Sequence, residues 1–205
     1  MDADYELLDR WRGGDKDAGQ ELFGRHFDSV YRFFASKCDA EVDELVQATF
    51  LACVRARDQF RKESSFRTYL FTIARHELYR ALRERRRDGE RLDFSSTSIA
   101  ELASTPGTRL VRNEDHRRLV AALRTLPIEQ QTLLELHYWE ELDMAALAEV
   151  FDAPAGTIRV RLHRARKSLR DRMEETAAAP AEALATLEGL DTWARRLGGE
   201  RGPRG

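Results

Sequence analysis

The feature that most constrains this chain is a stretch whose apolar side chains recur with the period of an α-helix. Residues 157–173 read TIRVRLHRARKSLRDRM, and helical spacing collects one narrow apolar stripe from Ile158, Leu162, Ala165, Leu169 and Met173. The remaining surface is cationic through Arg159, His163, Arg164, Arg166, Lys167 and Arg170. Thr157 is the predicted N-cap of this helix. The pattern therefore predicts a helix that packs on one side and presents positive charge on the other.

A shorter amphipathic segment, residues 144–151, precedes this helix and has Asp143 as its predicted N-cap. The residues between the two segments, 152–156, read DAPAG. Two short helices joined by a glycine-containing turn, the second of them basic, are the outline of a helix-turn-helix, which lays its second helix in the DNA major groove. An ordinary solvated basic face is the alternative interpretation of the same residues.

Helical periods recur along the chain, whereas alternating strand patterns are nearly absent, so the predicted fold class is all-α. We expect two small helical domains joined by a flexible linker that is rich in Ser and Thr and contains a Pro-Gly turn. A C-terminal extension with a candidate amphipathic helix follows the second domain. The first domain, the linker, the helix-turn-helix domain and the extension are predicted at residues 1–88, 89–112, 113–173 and 174–205.

The first domain is predicted to contain four helices, at residues 5–12, 16–36, 40–57 and 66–87. Their candidate N-caps include Asp15, Asp39 and either Ser64 or Ser65. The apolar face of the long second helix is predicted to consist of Leu22, Phe23, Phe27, Val30, Tyr31 and Phe34. Two further helices, at residues 113–126 and 128–139, are predicted ahead of the helix-turn-helix.

Net charge and cysteine spacing exclude several classes of function. The chain has a formal net charge of -2 and a pI near 6.3. Domains that coat nucleic acid unaided are strongly basic, so the net charge argues against a protein of that class. Cys38 and Cys53 match no metal-ligand or redox spacing, so no metal and no cofactor is predicted. The N-terminal residues show no signal-peptide pattern and no apolar run could span a membrane, so we expect a cytoplasmic protein without membrane insertion.

The third predicted helix has a broad apolar face formed by Val42, Leu45, Val46, Thr49, Phe50, Cys53 and Val54. The opposite face carries Glu44, Gln47, Leu51 and Arg55. A single exposed leucine is common on protein surfaces. Flanked by these polar side chains, however, Leu51 also fits the apolar centre of a partner interface with a polar rim.

The fourth predicted helix has a packed side formed by Phe66, Leu70, Ile73, Ala74, Leu78 and Ala81. Its other side is predicted to carry Thr68, Tyr69, Thr72, Arg75, His76, Tyr79, Arg80 and Arg83. Aromatic rings interleaved with arginines can stack unpaired bases while the guanidinium groups hold phosphates. A solvated face explains the arginines but explains the two tyrosines less well.

Three runs of the sequence, in this order and spacing, resemble the extracytoplasmic-function type of bacterial RNA polymerase sigma factor. DELVQATFLACVRARDQF at residues 43–60 is similar to the polymerase-clamp helix of that family, and SSFRTYLFTIARHELYRALRERRR at residues 64–87 to its promoter-melting and minus-ten helix. LPIEQQTLLELHYWEELDMAALAEVFDAPAGTIRVRLHRARKSL at residues 126–169 is similar to its minus-thirty-five domain. The resemblance covers roughly residues 4–173.

The resemblance implies an initiation factor that binds core RNA polymerase, directs it to specific promoters and assists DNA melting, with no catalysis of its own. Glu44, Leu45, Gln47 and Phe50 match the family's clamp-binding motif, with Phe50 supporting the helix from inside. Together with the face described above, this makes Glu44, Gln47, Leu51 and Arg55 the candidate polymerase-binding residues. Candidate minus-ten residues are Phe60, Ser64, Ser65, Phe66, Tyr69, Arg75, His76, Tyr79, Arg80 and Arg83. Candidate minus-thirty-five residues are Thr157, Arg159, Val160, His163, Arg164 and Lys167.

Among the minus-ten residues, the loop with Phe60, Ser64, Ser65 and Phe66 is implied to receive a base extruded from the non-template strand. The chain departs from the family at Tyr69, where Trp is usual, at His76, where Asn is usual, and at Ala48, where Glu is common. Val160 replaces a frequent Ser, and its side chain can pack on a thymine methyl but cannot hydrogen-bond.

Two other classes of protein compete with this interpretation. A stand-alone regulator would keep the helix-turn-helix but would not use a base-stacking helix or a clamp-like run in its first domain. An enzyme is disfavoured because the histidines are dispersed and no HExxH, GxSxG or P-loop sequence is present. Whether an anti-sigma factor holds the chain inactive is left open by the sequence.

Overall fold

A computed structural model describes residues 3–38, 41–85, 92–102 and 114–175, together with Gly189, Thr192 and Arg195. Within these residues the secondary structure is α-helical, with an isolated β-bridge between Ser98 and Pro127 and no strand, and the predicted all-α fold class is confirmed. The chain divides into two units, Met1–Arg91 with Glu149–Asp152, and Leu92–Ala148 with Ala153–Gly205. Each unit is a separate helical assembly with its own core.

The first unit is built from four helices, α1 (Ala3–Arg12), α2 (Lys16–Ala35), α3 (Val42–Ala56) and α4 (Phe66–Arg85). The long helix α2 lies at the centre, because it packs against α1, α3 and α4. Its core-facing side chains and those of α4 are fully buried at Leu22, Val30, Phe34, Leu70, Phe71, Ala74 and Leu78. This core fixes the relative positions of α3, α4 and the loop that joins them.

Two of the predicted N-caps in this unit are confirmed. The Asp15 carboxylate accepts from the backbone N–H groups of Asp17 and Ala18, both at 3.1 Å. Ser65 caps α4, since its hydroxyl oxygen accepts from the Thr68 backbone N–H at 3.0 Å. Asp39 lies outside the described residues, and α3 begins at Val42 without a side-chain hydrogen bond at its N-cap.

Four side chains of this unit lie on a different side from the one their helical period predicts. Phe27 and Val54 were expected to be buried but are 46% and 40% exposed. Thr68 and Tyr79 were expected on the open side of α4 but are buried. For α4 the reason is tertiary, because packing against both α2 and α3 covers more of its circumference than a single stripe. Phe27 and Val54 lie at edges of α2 and α3 that the described residues leave open to solvent.

The second unit contains α5 (Ile99–Leu102), α6 (Glu114–Arg124), α7 (Ile128–Tyr138), α8 (Met144–Val150) and α9 (Ala155–Glu175). The predicted stripe of α9 is confirmed, because Ile158, Leu162, Ala165, Leu169 and Met173 are all buried. Packing of α9 against α6 and α7 covers these residues. The opposite side of α9 is therefore held outward.

The predicted cap of α8 is confirmed and that of α9 is wrong. The Asp143 carboxylate accepts from the Ala146 N–H at 2.8 Å. Helix α9, however, begins at Ala155, so Thr157 lies in its first turn rather than at its N-cap. Asp152 adopts a left-handed conformation (φ 48°) that ends α8, and the chain enters α9 directly after Pro154.

The structure shows that residues 92–102, which fall in the predicted linker, pack onto the second unit. Leu92, Phe94 and Ile99 are buried there. The carbonyl oxygens of Thr97 and Phe94 accept from the first two N–H groups of α7, at 2.9 and 3.0 Å. These bonds satisfy donors that a helix N-terminus leaves open. The remaining residues of the predicted linker, 89–91 and 103–112, lie outside the described part of the chain.

Beyond α9, the C-terminal extension is described at three residues, Gly189, Thr192 and Arg195, all of them helical. The Arg195 guanidinium lies over the Tyr138 ring, 5.5 Å from its centroid, and 3.4 Å from Nε2 of His137. Leu184, Leu187 and the other apolar residues predicted for this helix lie outside the described residues. Within the described residues, none of the helices has the length and hydropathy of a membrane span, and the His, Cys, Asp and Glu side chains form no cluster suited to a metal ion.

Candidate protein and nucleic-acid interfaces

The outer face of α3 presents the four side chains predicted for a protein partner. Glu44, Gln47, Leu51 and Arg55 are all exposed, and Leu51 is 46% exposed. One helical turn separates Gln47 from Leu51 and Leu51 from Arg55, so the apolar side chain lies between polar ones. The expected arrangement of an apolar centre with a polar rim is present on this helix.

Two exposed apolar residues that the sequence pattern missed enlarge this face. The Phe27 ring of α2 lies parallel to the Phe50 ring of α3, with 6.3 Å between centroids and 6° between planes. Val54 follows Phe50 by one turn and Leu51 by three residues. We refer to Phe27, Gln47, Leu51 and Val54 as the α2–α3 patch. Phe50 itself is half-buried and also contacts Phe23.

The loop between α3 and α4, residues 57–65, contains three of the predicted base-receiving residues, and the fourth, Phe66, is the first residue of α4. Phe60 is buried, with its ring stacked on Tyr69 at 4.5 Å between centroids and edge-on to Phe66 at 6.3 Å. Phe66 is also buried, so neither phenylalanine ring is open to a ligand. Ser65 is exposed and Ser64 is half-buried. Tyr69 is half-buried, and its ring covers Phe60 from the outer side.

Partial loss of solvent contact shifts the pKa values of two side chains on α4, the half-buried Tyr69 and the more exposed His76. Desolvation raises the pKa of Tyr69, so its hydroxyl stays protonated and able to donate a hydrogen bond. The pKa of His76 is lowered, most of all by desolvation and next by the positive charge of Arg75. His76 is therefore neutral at pH 7, with one ring nitrogen that donates and one that accepts.

The cationic residues of α4 differ in how accessible they are. His76, Arg80 and Arg83 are exposed, as predicted. Arg80 forms ion pairs with Glu77 and Glu84, but surface pairs of this kind contribute only about 0–1 kcal/mol and can be exchanged for a phosphate. The predicted exposure of Tyr79 is wrong, and Arg75 is half-buried with its guanidinium 4.9 Å from the centre of the Tyr79 ring.

The outward side of α9 brings together the residues predicted for the minus-thirty-five element. Its exposed members are Thr157, Arg159, Val160, His163, Arg164 and Lys167. At the helical angle of about 100° per residue they span one continuous arc opposite the buried stripe. Val160 is 51% exposed and is surrounded on this arc by cationic side chains.

Two arginines that the sequence placed on the cationic side of α9 are committed elsewhere. Arg166 is half-buried, and its Nε donates to the Tyr138 hydroxyl at 2.7 Å. Arg170 pairs with Glu174 at 2.7 Å. A third arginine, Arg161, pairs with Glu129 of α7. The Arg166 and Arg161 contacts hold α9 against α7, whereas the Arg170 pair lies within α9. Together they leave the open positive charge on the arc described above.

Comparison with known proteins matches both units. The family model for Sigma-70 region 2 matches residues 22–88, and the model for Sigma-70, region 4 matches residues 116–169. The first match contains α3, α4 and the intervening loop, and the second contains the helix-turn-helix. Helix α1 and residues 92–102 lie outside both matches.

Relatives are similar over most of their length. The ECF RNA polymerase sigma-E factor of Haemophilus influenzae is 28% identical over 185 residues, which covers 84% of this chain and 96% of that protein. RNA polymerase sigma factor CarQ of Myxococcus xanthus is 28% identical over 173 residues, covering 82% and 96%. The sigma factor RpoE of Bartonella quintana, solved in complex with the anti-sigma factor NepR, has a TM-score of 0.60 and 26% identity over 78% of this chain and 98% of that chain. The chain belongs to the sigma-70 family, as an RNA polymerase sigma factor of the extracytoplasmic-function type.

Proposed function

We propose that three surfaces of this transcription initiation factor each perform one task in promoter-dependent initiation. The α2–α3 patch binds core RNA polymerase, the 57–65 loop and α4 take the minus-ten element, and the outward arc of α9 reads the minus-thirty-five element. The distribution of exposed apolar side chains supports this division most strongly. Among the described residues the exposed large apolar side chains are Phe27, Leu51, Val54 and Val160. Three belong to the α2–α3 patch and the fourth to the α9 arc.

The α2–α3 patch has the composition of a protein interface. Its exposed apolar side chains are Phe27, Leu51 and Val54, and the polar side chains of Glu44 and Arg55 flank it on α3. Interfaces commonly have such an apolar core with charged residues at the edge. The exposed phenylalanine is the strongest candidate anchor, because aromatic side chains contribute large contact areas to interfaces.

On α4 the accessible residues differ from the predicted set. Since Phe60, Phe66 and Tyr79 are buried, we assign them to support and expect the outer face of Tyr69 to be the stacking surface for an extruded base. A neutral His76 can hydrogen-bond a base edge as donor and acceptor. Arg80 and Arg83 are placed to contact backbone phosphates.

On α9 the outward arc combines hydrogen-bonding and apolar side chains. Arginine pairs with guanine edges in the major groove, and an aliphatic side chain such as Val160 contacts the thymine methyl group. Lys167 and the remaining cations can hold phosphates and fix the register of the helix. The buried stripe of α9 matters for this surface because it sets which residues of the helix face the groove.

The chain is expected to contribute binding and melting rather than a catalytic step, with RNA synthesis carried out by the polymerase. We expect it to act in the cytoplasm, where its template is found. Because the Bartonella relative was solved with an anti-sigma factor, we also propose a regulator of that class for this chain. Isolation of the chain from its host under mild conditions, followed by identification of bound proteins, tests this.

In-vitro transcription tests the proposed function as a whole. The full-length chain is added to core RNA polymerase and genomic DNA, and RNA start sites are mapped. We expect discrete starts that depend on the chain and share two upstream sequence elements. Transcripts that do not change when the chain is added would refute the proposal.

A further inference from the structure

Helix α1 lies outside both matched regions, since the first match begins at residue 22. The helix is fixed firmly to α2. Leu7, Leu8 and Trp11 are buried, and a Cβ added at Gly19 of α2 would come within 2.6 Å of the Trp11 ring. Nε2 of His26 on α2 lies 2.6 Å from the Asp4 carboxylate. Helix α1 is therefore a rigid part of the first unit.

From this fixed position Arg12 binds the beginning of the 57–65 loop. Its Nε donates to the carbonyl oxygen of Arg57 at 3.0 Å, and its Nη2 donates to that of Phe60 at 2.6 Å and also to that of Arg57. Arg57 is the C-cap of α3, where carbonyl oxygens lack helical partners and attract positive charge. The planar guanidinium thus joins the end of α3 to the loop in one geometry.

Helix α1 also holds the far end of the same loop. The Tyr5 hydroxyl donates to the Ser64 carbonyl oxygen at 2.7 Å. The Lys62 ammonium donates to both carboxylate oxygens of Asp9, at 2.5 and 2.6 Å. Lys62 has a left-handed backbone (φ 59°), which a non-glycine residue keeps only where its surroundings enforce it.

These contacts fix the loop at both ends and orient its aromatic residue. The Phe60 ring lies between the rings of Tyr5 on α1 and Tyr69 on α4, with centroid distances of 6.4 and 4.5 Å. We infer that α1 is the scaffold that holds the 57–65 loop in the shape that accepts an extruded promoter base, with Arg12 as its main positioning residue. The inference rests on the proposed function of the loop. It assigns α1 to promoter melting rather than to stability alone, because a preformed loop does not need to be ordered when the base arrives.

The test compares open-complex formation by holoenzymes that contain the full-length wild-type chain, Arg12→Ala or Tyr5→Phe. The probes are four promoters that differ only in the non-template base implied to be extruded. Arg12→Ala should lower open-complex formation on the preferred base by roughly tenfold, the scale of lost hydrogen bonds to a charged donor. It should also bring the ratio between preferred and other bases close to one. Tyr5→Phe, which removes one hydroxyl, should show a smaller change in the same direction.

Arg10→Ala is the matched control, since it removes the same charge from α1 but Arg10 contacts Asp15 instead of the loop. Arg12→Lys should restore only part of the discrimination, because an ammonium lacks the planar fork. Binding of each variant to core polymerase and its thermal unfolding are measured in parallel. Unchanged base discrimination in Arg12→Ala and Tyr5→Phe, with or without a loss of stability, would overturn the inference and leave the proposed function standing. A wild-type chain that forms no open complex would overturn both.

Discussion

Replacement of Leu51 by arginine tests the assignment of the α2–α3 patch to the polymerase. Leu51 is 46% exposed and lies on the outer face of α3, so the substitution removes little from the core of the chain. Surface changes of this kind usually alter the free energy of unfolding by about 0.5 kcal/mol or less. Any large effect on polymerase binding would therefore come from the interface.

The expected loss of polymerase affinity follows from how much of the Leu51 side chain is exposed to solvent in the free chain. Complete burial of a leucine contributes about 1.5–3 kcal/mol, and roughly half of this surface is already covered in the free chain. Leu51→Ala should therefore weaken binding by about 1 kcal/mol, or roughly fivefold. Leu51→Arg also places a charge without a partner in an apolar centre, which adds about 3 kcal/mol and brings the loss to several hundredfold or more.

The assay is a titration of fluorescently labelled full-length chain with core polymerase, read by anisotropy. Val160→Arg is the matched control, since it makes the same chemical change at a 51% exposed apolar residue on α9. It should leave polymerase affinity unchanged. If Leu51→Arg binds within twofold of the wild-type chain while remaining folded by circular dichroism, the assignment of the patch is wrong.

Three further predictions concern DNA reading, packing and pH. Arg164→Ala should weaken promoter binding by about 1–3 kcal/mol at one base pair if it reads a base edge, and uniformly across a promoter-mutant panel if it contacts phosphate. Gly19→Ala should lower the free energy of unfolding by about 1–3 kcal/mol, because its Cβ would meet Trp11, as urea titration can measure. Asp4→Asn should flatten the acid limb of the stability curve. Burial opposes ionisation of Asp4, but the hydrogen bond with the neighbouring histidine and nearby positive charges outweigh it and lower the carboxyl pKa below 3.8.

The controls for these predictions are equally specific. Gly24→Ala lies on the same helix as Gly19, with nothing within 4 Å of the added Cβ, and should stabilise the chain by about 0.5–1 kcal/mol. A lowered carboxyl pKa stabilises the fold above the unfolded pKa, and the contribution is lost as pH falls below about 3.8 through the folded pKa. The Asp4→Asn and wild-type curves should therefore converge in acid. Parallel curves would contradict the pH argument, and equal stability of the two glycine variants would contradict the packing argument.

The features that the sequence predicted correctly are the ones that depend on local geometry. The buried stripe of α9 follows from helical period alone, and all of its members are buried. Caps such as Asp15 and Asp143 involve backbone groups two or three residues away, so their sequence position is sufficient. The exposed Leu51 is of the same kind, since it lies opposite the broad apolar face of its own helix.

The features that the sequence did not predict depend on partners that are distant along the chain. Tyr79 is buried because α4 packs against two helices, and Phe27 is exposed because the described helices of its unit leave that edge of α2 open to solvent. No pattern along the chain could show that Arg12 reaches the carbonyl of Phe60, 48 residues later. The packing of Phe94 at the start of α7 could not be predicted, because a short apolar segment in a Ser- and Thr-rich stretch shows no helical or strand period.

The proposed roles of the individual site residues remain predictions, and one footprinting experiment tests their division most directly. Holoenzymes with the wild-type chain, Leu51→Arg, Arg80→Ala or Arg164→Ala are compared on a mapped promoter by DNase protection and by permanganate reactivity of unpaired thymines. We predict no footprint for Leu51→Arg, weaker melting with retained upstream protection for Arg80→Ala, and weaker upstream protection for Arg164→Ala. Identical footprints for all four chains, or the same failure in all three variants, would contradict the division of function among the three surfaces.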